Sequence, residues 1–84
     1  MEKKIFSIQS YLRENLSLDV KHEALISMHR FHIDQQHIFY VPHEVLRDKQ
    51  LDEILALLDF HDIVNKIKTA SAPTLLHLSD NMVE

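Results

Sequence analysis

The chain has 84 residues, a net charge of −4 with histidine neutral, seven histidines, and neither glycine nor cysteine. Average usage would place roughly six glycines in this length, and glycine is what lets a backbone approach a phosphate or take positive φ. Glycine-rich phosphate loops, dinucleotide fingerprints and glycine-flanked nucleophile elbows are therefore excluded.

In chain order, Ile8, Tyr11, Leu12 and Leu16 recur at helical spacing, with Ser7 or Ser10 able to accept from the first-turn N–H groups. That spacing predicts a helix over 8–18. A short strand is expected before it, over 4–7, and a polar connection after it, over 19–23.

Residues 24–41 then become rich in β-forming side chains around a polar centre, Asp34-Gln35-Gln36. This predicts a β-hairpin. Without Asn-Gly or Asp-Gly its loop is expected to hold three to five residues, and the register is open by one. The competing reading continues a helix through Met28 to His32. Pro42 cannot donate to a sheet and presets φ for a helix start, which makes it a junction.

Residues 43–68 carry the strongest helical pattern, with Leu51, Ile54, Leu55 and Leu58 on one stripe and Phe60, Ile63, Val64 and Ile67 on a rotated one. Either the helix breaks near Asp59, where Asp59 and Asp62 offer caps, or one long helix serves two partners. Ala70-Ser71-Ala72-Pro73 is a hinge, since proline disfavours helix before it. Residues 74–83 form an apolar segment that docks on this protein or on another. The expected fold class is α+β: a small single domain with an N-terminal helix, a β-hairpin and one or two C-terminal helices. Residues 1–69 form the core domain and 70–84 the hinge plus amphipathic segment.

The acidity is all C-terminal. Through Gln50 seven basic side chains balance seven acids, whereas beyond it Lys66 and Lys68 face Asp52, Glu53, Asp59, Asp62, Asp80 and Glu84. Any DNA contact is therefore expected from Lys3, Lys4, Arg13 and Arg30. A protein partner is expected on the apolar residues Phe60, Ile63, Val64, Ile67, Leu75, Leu76, Leu78 and Met82. A domain this small without disulfides commonly gains stability by self-association, so a homo-oligomer is expected. No stretch approaches the roughly 20 apolar residues of a membrane span, and the expected setting is cytoplasmic, without membrane contact.

The histidines are His22, His29, His32, His37, His43, His61 and His77. They match no named metal motif. A turn centred on Asp34 and Gln35 would set His32 opposite His37, close enough to share a metal, but two ligands do not make a tight site. The expectation is ordinary surface or half-buried histidines, no cofactor and no resident metal. The serines have simpler roles as caps and turns, so no catalytic constellation stands out and the chain is expected not to be an enzyme.

A short N-terminal strand, a helix with Ser10-x-x-Arg13-x-Asn15-Leu16-Ser17, a hairpin, and Tyr40-Val41-Pro42-x-Glu44 leading into a helix together resemble the Phd/YefM type of antitoxin over about residues 3–58. The family's hairpin usually has a glycine where this chain has Asp34-Gln35-Gln36. The resemblance implies a dimer that binds its operator with its N-terminal part, Arg13 lying near DNA phosphates. It also implies that the stretch after Asp59 covers a toxin. The alternative is an inhibitor, immunity or adaptor protein that works purely by protein–protein interaction.

Overall fold

The computed structural model describes residues 2–78. Four helices cover one face of a four-stranded sheet. The chain runs through helix α1 (Glu2–Leu16), strands β1 (Val20–Ala24), β2 (Met28–Ile33) and β3 (His37–Pro42), helices α2 (His43–Asp48), α3 (Leu51–Phe60) and α4 (Ile63–Lys68), and strand β4 (Thr74–His77). The strands lie in that order across the sheet; β1, β2 and β3 are antiparallel neighbours, and β4 lies parallel to β3. This is the expected α+β layout. No helix among the described residues is long and apolar enough to cross a membrane.

Ile8, Leu12 and Leu16 form the buried stripe of α1, and Ile5 packs against the same core one turn earlier. That extra turn is why residues 4–7 are helix rather than the expected strand. The helix also ends two residues before the expected limit, because Ser17 takes φ 58° while its N–H donates to the Arg13 carbonyl at 2.7 Å. A left-handed residue of this kind ends a helix, and glycine usually occupies it.

The expected polar connection over 19–23 is instead largely strand β1. It pairs with β2 from Val20↔Ile33 to Ala24↔His29, and its outward Lys21 and Glu23 disguised it. The hairpin of β2 and β3 is as expected, with a three-residue loop. Its register, however, sets His37 opposite Ile33 and His32 opposite Ile38. His32 and His37 therefore do not face each other, because side chains alternate between sheet faces. His37 is buried, and its Nδ1 lies 2.8 Å from Thr74 Oγ1.

Pro42 stands at the junction of β3 and α2, as its chemistry predicts. The long helical pattern then breaks twice. Gln50 and Glu53 form a reciprocal capping box that starts α3, and Asp62, at φ 57°, separates α3 from α4. The break expected near Asp59 thus falls at His61 and Asp62, and the one at Lys49 and Gln50 is additional. After Pro73, Thr74 donates to the Gln36 carbonyl at 3.2 Å and Leu78 to the Tyr40 carbonyl at 2.9 Å. Residues 74–78 of the expected segment thus dock on this protein itself, and residues 79–83 lie outside the described residues.

One core joins all four helices to the sheet. Phe31 and Phe39 sit directly opposite each other, fully buried, with Val20, Ile33 and Val41 beside them and Ile8, Leu12, Leu46, Ile54, Leu58 and Ile63 above. Each such side chain stabilises the fold by about 1.5–3 kcal/mol.

Among the described residues, four hold positive φ, none of them glycine: Ser17, Asp34, Gln35 and Asp62. Gln35, at φ 61°, lacks the short side chain with which aspartate bonds locally in this region. Gln35→Gly is therefore expected to raise the free energy of unfolding by about 0.5–1 kcal/mol, the relief of left-handed strain outweighing glycine's entropy cost. Urea denaturation checks this; an unchanged or lowered midpoint refutes it.

Candidate functional site

The helices leave the other face of the sheet open. Alternation along each strand places Lys21, Glu23, Arg30, His32, Ile38, Tyr40, Leu75 and His77 there. Pairing sets Glu23 opposite Arg30, Arg30 opposite Tyr40, and Tyr40 opposite His77, a polar row across all four strands. Arg30 Nε donates to Glu23 Oε1 at 3.0 Å, with Arg30 Nη2 on the same oxygen, and His32 Nε2 lies 3.3 Å from it. These bonds, Arg30 first and His32 second, hold the Glu23 carboxyl below its usual range. The Glu23 carboxylate, then the Tyr40 hydroxyl, raise Arg30. The Tyr40 and His77 rings stack with centroids 4.8 Å apart.

The two edges of this sheet differ. Asp34 donates to the Asp19 carbonyl and Leu25 to the Met28 carbonyl, so the groups of Val20, His22 and Ala24 point away from β2. Gln9 and Arg13 of α1 donate to the Val20 carbonyl at 3.3 and 2.8 Å and so occupy one end of that edge. In β4 the bonds of Thr74 and Leu78 to the β3 side turn the backbone groups of Leu75 and His77 outward. Among the described residues nothing pairs with them, and Leu75 is 55% exposed.

On the core side of β1 and β2 lies a chain of three imidazoles. His22 Nε2 is 2.8 Å from His29 Nδ1, and His29 Nε2 is 3.2 Å from His43 Nδ1, with neighbouring rings stacked. His29 is buried, and burial followed by charge on His22 and His43 lowers its pKa; burial lowers that of His22. Because His29 turns its two nitrogens to different neighbours, the trio does not converge on one point. Among the described residues no group of three metal-capable side chains could hold an ion. Sequence reasoning missed this chain, since it depends on β1, which was read as connection.

Of the seven histidines, His22, His32, His43, His61 and His77 are half-buried, within the expectation, while His29 and His37 are buried. His61 packs edge-on to Phe60 and leaves its Nε2 buried without a partner. The expected DNA contacts are mostly engaged inside the chain. Lys4 Nζ donates to the Leu46 and Lys49 carbonyls at 2.7 and 2.6 Å, closing the C-terminal end of α2, while Arg13 holds Val20 and Arg30 holds Glu23. Lys3 is exposed on α1.

The expected partner surface divides in the same way. Ile63, Ile67 and Leu78 lie in the chain's own core, against which Val64 and Leu76 pack. Phe60 and Leu75 are exposed, Phe60 by 78% where it lines a cleft together with Lys49, Glu53, Ala56 and Leu57. Met82 lies outside the described residues. Comparisons with protein-family models, curated proteins and solved structures find no match to this chain.

Through these two bonds Lys4 ties α1 to the end of α2. Lys4→Met is expected to lower the unfolding free energy by about 1.5 kcal/mol, the scale of hydrogen bonds from a charged donor. Lys3→Met should stay within about 0.5 kcal/mol of the parent. Equal urea midpoints for the two variants would refute the structural role of Lys4.

Proposed function

We propose that this chain is a small, non-catalytic binding protein that captures an extended segment of a protein partner as a fifth strand along β4. The observation that carries the reading is the outward-facing backbone of Leu75 and His77 in an outermost strand with no charged side chain. Exposed edges are usually blunted by lysine, proline, bulges or a covering element. Here Gln9 and Arg13 of α1 cover the Val20 carbonyl at the β1 edge, β1 carries the charged Lys21 and Glu23, and no described residue supplies such cover at β4. Strand addition draws affinity from main-chain bonds and specificity from alternate side chains, and Leu75 with His77 offers such alternate contacts on the open face.

A cytoplasmic inhibitor or adaptor fits this reading, and an antitoxin that covers its toxin would be one protein of that class. Operator binding is left out of the proposal, because Lys4, Arg13 and Arg30 donate within the chain.

Proline at 75 or 77 removes an outward N–H without touching the bonds to β3. Peptides of about 12 residues selected from a random display library on the full chain are expected to lose at least about tenfold affinity for Leu75→Pro and His77→Pro, the equivalent of about 1.4 kcal/mol. Both variants should keep the parent's circular dichroism. Selected peptides that bind folded His77→Pro unchanged, or a library that yields no binder, would count against strand addition.

A further inference from the structure

We propose that His22, His29 and His43 form an acid-sensitive clasp between the sheet and α2, which holds when neutral or singly protonated and opens when a second proton arrives. The inference follows from counting donors along the chain.

When all three rings are neutral, each carries one N–H. Both contacts are then satisfied only if the rings share one tautomer. With Nε2–H throughout, His22 donates to His29 and His29 to His43. With Nδ1–H throughout, the direction reverses. A mixed set leaves two donors or two acceptors face to face at 2.8 or 3.2 Å.

One added proton is tolerated. Placed on His29, it gives that ring two N–H groups, which donate to neutral His22 Nε2 and neutral His43 Nδ1, so both contacts survive. A second proton must go to an outer ring and turns one acceptor into a donor. It also sets two cations on rings whose centroids are 5.1 or 5.4 Å apart. One contact then opens.

Few charges compensate. Asp48 of α2 acts on His43, and Lys4 of α1 acts on that same Asp48. Glu44 is exposed in the first turn of α2. Glu23 and Arg30 alternate with His22 and His29 along the strands and so lie on the opposite sheet face. Toward the core His22 meets the Phe31 ring, 5.3 Å away and unable to share a proton. The clasp fixes the start of α2, where the His43 amide donates to the Ser27 carbonyl at 3.0 Å.

The direction of the pH effect follows from linkage. His22 and His29 have folded-state pKa values below the ordinary one, so the stability they support is present above about pH 6.5 and is lost as pH falls through the folded values. Each proton taken up on unfolding multiplies the unfolding constant by about ten per pH unit.

The test uses the full chain and three readouts. Long-range ¹⁵N–¹H spectra at pH 7.5 are expected to show one common tautomer for the three residues; a mixed set overturns the proposal. Between pH 7 and 5 the unfolding constant from urea titrations should rise at least about tenfold more in the parent than in His29→Phe. Should His29→Phe fail to fold, His43→Phe, at a half-buried position, takes its place. A variant that tracks the parent within twofold overturns the proposal. Protection of the His43 amide against hydrogen exchange, corrected for intrinsic rate, should fall across the same window before global unfolding, and protection lost only with global unfolding refutes a local clasp.

Discussion

The pairing of Phe31 with Phe39 is the constraint on which the other features depend. Because side chains alternate, setting these two rings opposite each other and inward fixes the face of every other residue in β2 and β3. A slip of one residue in β2 would carry Arg30 and His32 into the core and expel Phe31 and Ile33. Such a loss of burial is large against a total stability of about 5–15 kcal/mol. The turn must therefore meet the register that the core demands, and it does so with Asp34 and Gln35 at positive φ, in a chain that has no glycine to place there.

The same register has a polar consequence. Two residues before Phe31 stands His29, which must also face inward. A buried imidazole left without partners would cost about 1–3 kcal/mol for each orphaned group. The fold meets that demand with two further histidines, one carried by β1 and one at the start of α2 just past the Pro42 junction. The imidazole chain is thus a product of register together with the place where the proline ends β3.

What the sequence disclosed follows from periodicity. The hairpin and the helical stripes after Pro42 were legible because their apolar residues repeat at 2 or 3.6, whereas the apolar segment after Pro73 left open whether it docks on this protein or on another. β1 was not legible, since Val20, His22 and Ala24, alternating with Lys21 and Glu23, make too short an inward-facing series to stand out, and one of the three is His22. The start of α1 was misplaced because Ile5 and Phe6 read equally well as a short strand, and only the packing of Ile5 against the core distinguishes them. With β1 unseen, no spacing argument links His22 to His29. The intrachain bonds of the basic residues were hidden for a related reason: Lys4 and Arg13 reach carbonyls that only tertiary packing brings near.

The open face and the β4 edge belong to one arrangement. The row Glu23, Arg30, Tyr40, His77 runs from the β1 edge, where α1 holds Val20, to the β4 edge, which no described residue pairs, ordered by pairing at each strand. At one end the carboxylate is held by two donors, and at the other the imidazole stacks on tyrosine with its far side toward the β4 edge. A strand added along β4 would set one of its own side chains next in that row, beside His77, and another two residues away on the same face, beside Leu75. Planar or apolar side chains suit the first place, because His77 presents a ring there rather than a fixed charge. Selectivity at this edge would then rest on two alternate positions of the incoming strand, with the uncharged β4 setting no electrostatic preference of its own.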